Sequence, residues 1–233
     1  MIEFNPVLGV ELPPYAKPPA RVWSPEQVLH FLNATADDPL GLLYRIALLR
    51  GLRRGEACGL RWSDIDLKAG HLQIAQTVLQ LGNQIVFDTP KSAAGRRTVS
   101  VDPETTRMLA ARKAEQRRAR LAVGPAYQDH DLVWCKSDGS PLSSERVTEG
   151  FKRLTRAAGL PVIKLHEARH TAATLALESG LNVKIVSTQL GHAKTSITFD
   201  TYSHVRQAVH DAAAEQVWDF VEGRAAGATD ARS

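Results

Sequence analysis

After residue 22 the apolar positions fall into helix-length stretches separated by glycine and proline, with one β-patterned interruption. Ser24-Pro25-Glu26 supplies an N-cap, a proline at the first helical position and an acid in the first turn, so a helix is predicted over 25–33. A largely apolar helix follows over 39–50 and stops at Gly51, a residue suited to a left-handed C-cap. A short helix covers 54–60. Three strand-like stretches come next, at 71–78, 84–87 and 97–101, with Gly82-Asn83 in the first turn and 90–95 in the second. Pro103 opens a long basic helix to about residue 121, and another runs over 144–158, closed by Gly159. Residues 166–179, 182–190 and 205–221 read as further helices. The predicted fold class is therefore mainly α with a small three-stranded antiparallel sheet, an α+β arrangement without internal repeats.

The two ends depart from this pattern. Residues 1–22 carry Pro6, Pro13, Pro14, Pro18 and Pro19 and read as an extended linker, the remnant of an interdomain connection. One folded domain is expected over 23–221. The small, polar stretch 222–233 is expected to be a disordered tail.

Composition narrows the class. The chain has 233 residues, 43% of them apolar and 23% charged, as in an ordinary globular protein with a real core. No apolar run reaches the roughly 18 residues of a membrane span, and no secretory signal pattern opens the chain. Two cysteines, Cys58 and Cys135, make no disulfide framework; a cytoplasmic setting is the simplest expectation. The net charge is +4, but its distribution is uneven. Residues 91–156 hold 14 Lys/Arg against 8 Asp/Glu, a net +6, whereas 1–90 and 157–233 each come to −1. A local basic surface suits a polyanion; a solvated helix face over 107–120 would give the same count.

The first cluster with chemistry is Leu165-His166-Glu167-Ala168-Arg169-His170. On a helix, positions i, i+3 and i+4 are neighbours, so His166, Arg169 and His170 should point together. Two imidazoles and a guanidinium on one face call for an anion. The same residues literally match His-Glu-x-x-His, a zinc-protease signature. That chemistry needs a third ligand. The long form of the motif fails, because Ala173 and Ala176 stand where its Gly and final His belong.

Four further features complete a different set: Gly51-Leu52-Arg53-Arg54-Gly55-Glu56, Lys91 in the turn between two strands, Leu190-Gly191-His192 at a helix end, and Tyr202 in Thr201-Tyr202-Ser203. In this order, Arg, Lys, His-x-x-Arg, Gly-His, Tyr, the chain from about Arg21 to Val209 resembles the catalytic domain of the tyrosine recombinases of the phage-integrase type. Each piece alone is weak; the ordered set is specific. Ala168 departs from the Leu usual in the central motif, which removes packing behind Arg169.

The resemblance implies site-specific DNA recombination or integration, by metal-independent strand cleavage and rejoining through a 3′-phosphotyrosyl intermediate. Tyr202 would be the nucleophile. Arg53 and Arg169 would bind the non-bridging oxygens of the phosphate. His192 would add a donor to them, and Lys91 would protonate the departing 5′ oxygen. For His166 the resemblance leaves two roles open, a hydrogen bond to the phosphate or removal of the Tyr202 proton. Glu56, three residues after Arg53, would orient it, and His170 would support the site. No cofactor or metal is implied. The expected partner is double-stranded DNA, with a homotetramer on DNA and a monomer or weak association without it. The 205–221 helix, with its apolar stripe, would dock on a neighbouring protomer. Relatives normally carry an amino-terminal DNA-clamping domain, which would precede the proline-rich linker. Two alternatives compete: a DNA-binding module of the same fold without strand cleavage, and the zinc metalloprotease.

Overall fold

The computed structural model describes residues 21–82, 84–90 and 93–191. Lys91, His192, Tyr202 and the 205–221 stretch lie outside the described residues, as do most of the linker and the tail.

Local capping chemistry starts and stops the helices. In α1 (Pro25–Ala34) the Ser24 hydroxyl accepts from the Gln27 backbone N–H, while the Gln27 side chain accepts from the Ser24 N–H at 3.0 Å. The helix α2 (Gly41–Arg50) ends where Gly51 turns left-handed at φ 68°. The short α3 (Arg54–Cys58) has no hydroxyl or amide cap; instead Glu56 reaches back to accept from the Arg53 N–H at 2.8 Å. Asp102 caps α4 (Pro103–Val123), and Ser143 caps α5 (Ser144–Ala157). Glu167 accepts from the Lys164 N–H at the start of α6 (Leu165–Glu178). Asn182 caps α7 (Val183–Leu190), which ends at Gly191, again left-handed at φ 68°.

The β-region differs from the pattern-based expectation. The 71–78 stretch is not one strand but two, β2 (His71–Ile74) and β3 (Thr77–Leu81), broken at Ala75-Gln76. The three-stranded antiparallel sheet consists of a two-residue β1 (Ile65–Asp66), then β2, then β5 (Arg97–Ser100). The strand β3 pairs instead with β4 (Gln84–Asp88) as a separate hairpin. The alternation falters there, since Gln76 stands in the apolar phase of Leu72, Ile74 and Val78, and packing adds to it. At the break, Gln76 donates to the Gly59 carbonyl at 3.2 Å, and β3 then crosses directly over α3. It passes so close to Gly55 that a Cβ there would stand 2.5 Å from Thr77 Oγ1 and 2.7 Å from the Val78 carbonyl oxygen.

The core is helical and aromatic. Trp23, Phe31, Tyr44 and Phe151 form a cluster with ring centroids 5.1 to 6.2 Å apart, joining α1, α2 and α5. The Tyr44 hydroxyl donates to the Val147 carbonyl at 2.8 Å, which satisfies its polar end inside the core. Burial raises the pKa of that phenol. The helix α6 packs against α2 and α7, and a satellite cluster of Ala173, Leu177, Val186 and Leu190 fixes α7 to it. That docking brings the end of α7 beside the end of α2.

Candidate functional site

Three backbone carbonyls at the C-terminus of α7 organise the site. Gln189 O accepts from Arg97 Nε at 2.5 Å, Leu190 O from Arg169 Nη2 at 2.6 Å, and Gly191 O from Arg53 Nη2 at 3.3 Å. The last carbonyls of a helix have no intrahelical donor and carry its partial negative charge, so guanidiniums suit them. Gly191 can sit there because its backbone is left-handed and the approach is close: a Cβ would come within 2.6 Å of the Ala94 carbonyl oxygen.

Arg169 is 4% exposed and bridges two helix ends, since its Nη1 also donates to Gly51 O at 2.8 Å. These two bonds fix the plane of the guanidinium. Ala168 beside it is fully buried in the main core. Arg169 itself is anchored by the Gly51 and Leu190 carbonyls.

Arg53 stands at the N-cap of α3, its side chain 44% exposed. Its Nη1 donates to Glu56 Oε1 at 2.7 Å, and its backbone N–H to Glu56 Oε2 at 2.8 Å. Glu56 is 3% exposed and thus holds Arg53 from below. Burial alone would raise the Glu56 carboxyl pKa. The hydrogen bonds and charge of Arg97, followed by the bonds from Arg53, outweigh burial and hold it below the ordinary carboxylate range.

His166 and His170 lie on α6 with rings edge to face, 5.2 Å between centroids. His166 is exposed, His170 half-buried, and Arg169 faces inward on the same helix. The three residues are neighbours on α6, with Arg169 the buried one. The structure therefore brings together Arg53, Glu56 and Arg169 at the ends of α2 and α7, with His166 and His170 on the first turns of α6. The positions of Lys91, His192 and Tyr202 fall outside the described residues.

Arg97 is the residue that pattern reading missed. Its side chain is 4% exposed; it donates to both Glu56 oxygens, at 3.0 and 2.8 Å, and to Gly95 O at 3.1 Å. The signal was present in the period-two alternation of β5, where Arg97 shares the inward phase with Val99. A buried guanidinium needs acceptors for its N–H donors, and here a buried acid supplies two of them.

Among the described residues no group of three His, Cys, Asp or Glu side chains is placed to hold a metal ion, so the His-Glu-x-x-His segment gains no third ligand from them. No helix among them is long and apolar enough to cross a membrane.

The sequence model of the phage integrase family matches residues 22–208. A XerC-like tyrosine recombinase of Caldanaerobacter subterraneus subsp. tengcongensis is 31% identical over 195 residues, covering 78% of this chain and 50% of the relative. The ICEBs1 integrase of Bacillus subtilis is 27% identical, covering 88% of this chain and 56% of the relative. The chain thus spans about half the length of these curated relatives. Among solved structures, the Tn1549 transposon integrase in complex with transposon right end DNA superposes with a TM-score of 0.72 at 22% identity, covering 86% of this chain and 67% of that one. XerA recombinase superposes with a TM-score of 0.63 at 21% identity, over 88% of this chain and 70% of that one. These structural likenesses carry the fold: mostly helical with a small antiparallel sheet.

Proposed function

The chain belongs to the phage integrase family, and from that premise we propose that it cuts and rejoins double-stranded DNA as the catalytic domain of a tyrosine recombinase. The Tyr202 phenol oxygen attacks a backbone phosphorus, the bond to the 5′ oxygen breaks, and a 3′-phosphotyrosyl bond replaces it. Lys91 gives its proton to the departing 5′ oxygen. Attack by a 5′-hydroxyl on the phosphotyrosine reverses these steps and restores the diester, releasing Tyr202. The phenol pKa is ordinarily near 10, so the nucleophile needs help at neutral pH. His166 either takes its proton or donates to the phosphate, and His192 adds a donor to the non-bridging oxygens.

The observation that carries this reading is the meeting of Arg53 and Arg169 at adjacent carbonyls of one helix end. A pentavalent phosphorus gains negative charge on its non-bridging oxygens, and two preorganised guanidiniums stabilise it more than the ground state. Both are held by fixed backbone or a buried carboxylate, so little reorganisation is left to the reaction. A binding module of the same fold would need the positive charge but not Tyr202. Exchange between two duplexes requires four protomers, so the proposal includes a homotetramer formed on DNA.

The test is a gel shift and a covalent-trapping assay on the same samples, using a pool of nicked duplexes of randomised sequence. Tyr202→Phe removes one hydroxyl and no cation. It is expected to abolish the covalent adduct, while DNA affinity stays near wild type and still falls with salt. Arg169→Ala is expected to lose part of the binding and to slow cleavage by on the order of 3 kcal/mol in the barrier. EDTA should change neither assay. An adduct that persists in Tyr202→Phe names a different nucleophile; activity lost to chelator and restored by zinc revives the metalloprotease-like segment.

A further inference from the structure

We infer that Arg97 is a positioning residue for the cleavage site: a buried cation that locks Glu56, and through it Arg53, to the C-terminal turn of α7. The inference rests on the strand-cleavage reading above and assigns a role to a residue outside the family set of Arg53, Lys91, His166, Arg169, His192 and Tyr202.

The bonding is directional and nearly saturated. A guanidinium has five N–H donors. Arg97 commits Nε to Gln189 O, Nη1 to Glu56 Oε1 and Gly95 O, and Nη2 to Glu56 Oε2. Four of its five N–H donors are already committed inside the protein, so its effect on the reaction passes through what it holds. It holds three things that are separate in sequence. They are the end of α7, the turn before β5, and the carboxylate that fixes Arg53.

Glu56 depends on this partner. Each of its oxygens is shared between Arg53 and Arg97, and the carboxylate is almost fully enclosed. The charged groups bonded to it are Arg53 at the N-cap of α3 and Arg97 from β5. Without Arg97, one cation on a half-exposed side chain remains to balance a buried acid. The carboxylate is then free to rotate, and Arg53 loses the fixed edge that aims it. Displacement of a reactive group by about 1 Å costs about 100-fold in rate.

The buried position also explains why a lysine is not equivalent. Arg97 spans Gln189 O, Gly95 O and both carboxylate oxygens with one planar fork, whereas an ammonium is a point charge with three donors. Arg97→Lys keeps the charge against Glu56 and loses the span.

The experiment compares the whole chain carrying Arg97→Met, Arg97→Lys, Arg53→Ala and the Arg53→Ala/Arg97→Met pair. Thermal unfolding is recorded first. The single-turnover rate of adduct formation and the gel-shift affinity are then measured on the nicked-duplex pool. The expected result is a cleavage rate about 100-fold lower in Arg97→Met with affinity within about threefold of wild type, and partial rescue in Arg97→Lys. In the Arg53→Ala background, adding Arg97→Met should cost little further, because Arg97 acts through Arg53. Where Arg97→Met does not fold, Arg97→Lys is the variant read, and a wild-type rate there overturns the inference. Equal losses of affinity and rate, or full additivity with Arg53→Ala, also overturn it. A wild-type chain that forms no adduct overturns the strand-cleavage reading instead, so the two failures are distinguishable.

Discussion

At Arg169 two physical demands compete. A guanidinium that is 4% exposed loses its hydration, and that loss is tolerable only where the donors meet well-placed acceptors. The acceptors are backbone carbonyls of Gly51 and Leu190, which belong to helix ends with no other use for them. Gly51 makes this possible twice over. Its left-handed φ of 68° ends α2, and its lack of a side chain lets Leu190 lie against it. Gly51→Ala would put a Cβ into Leu190 Cδ2 and force a non-glycine residue into the left-handed region, which alone costs about 1–2 kcal/mol. Thermal unfolding of Gly51→Ala should show a loss at least that large. Cleavage should fall along with it, because the displaced Leu190 carries the carbonyl that orients Arg169. A substitution that left both untouched would show that the close packing of α2 and α7 is not needed.

At the scale of elements, the N-terminus of α4 joins the sheet to the helical core. Asp102 accepts from the Thr105 backbone N–H at 2.9 Å and from its hydroxyl at 2.7 Å, and pairs with Arg45 at 3.0 Å. Burial acts to raise this carboxyl, but the Thr105 and Arg45 contacts outweigh it and bring it down to about 2. A carboxylate depressed in the folded state stabilises the fold above its unfolded value near 3.9 and loses that contribution as pH falls towards the folded value. Asp102→Asn keeps a capping side chain and removes the charge. It should therefore be less stable than wild type at pH 7, by on the order of 2 kcal/mol, and the gap should close between about pH 4 and pH 2. Urea unfolding of the two proteins at several pH values measures this. A gap that is constant with pH would mean that the charge of Asp102 does not supply the stability.

Across the whole molecule, the basic charge of the middle third is not all directed outward at a partner. On α4, Arg107 pairs with Glu104 at 2.6 Å, Arg120 pairs with Asp129 at 2.6 Å, and Lys113 lies 5.3 Å over the Trp62 ring. Part of the charge on that helix is thus compensated within the molecule. Under the proposed function, affinity for DNA is expected to rest on the site cations as well as on α4, and assembly on DNA that brings protomers together. Sedimentation should show a monomer or weak association without DNA and a higher-order complex when duplex is added. A stable tetramer in the absence of DNA would contradict the DNA-dependent assembly proposed for this chain.

The sequence by itself determined what local chemistry controls. Ser24-Pro25-Glu26, Gly51, Pro103 and Gly191 carry enough capping and backbone preference to set the helix limits within a residue or two. Arg53 and Arg169, far apart in the chain, meet at adjacent carbonyls of one helix end. Tertiary structure decided the rest. The 71–78 stretch alternates as far as Ile74 and loses its phase at Ala75-Gln76, but only the packing of β3 across α3 sends the second half into a separate hairpin. His166, Arg169 and His170 have the spacing of one face, and the docking of α2 and α7 against α6 decided that Arg169 is buried against the carbonyls of two helix ends while His166 stays exposed. Arg97 stood in a strand pattern as one more basic residue. Only the fold supplied the buried carboxylate of Glu56 and the end of α7, because both come from segments distant in the chain, and burial of a charge is decided by what long-range packing places beside it.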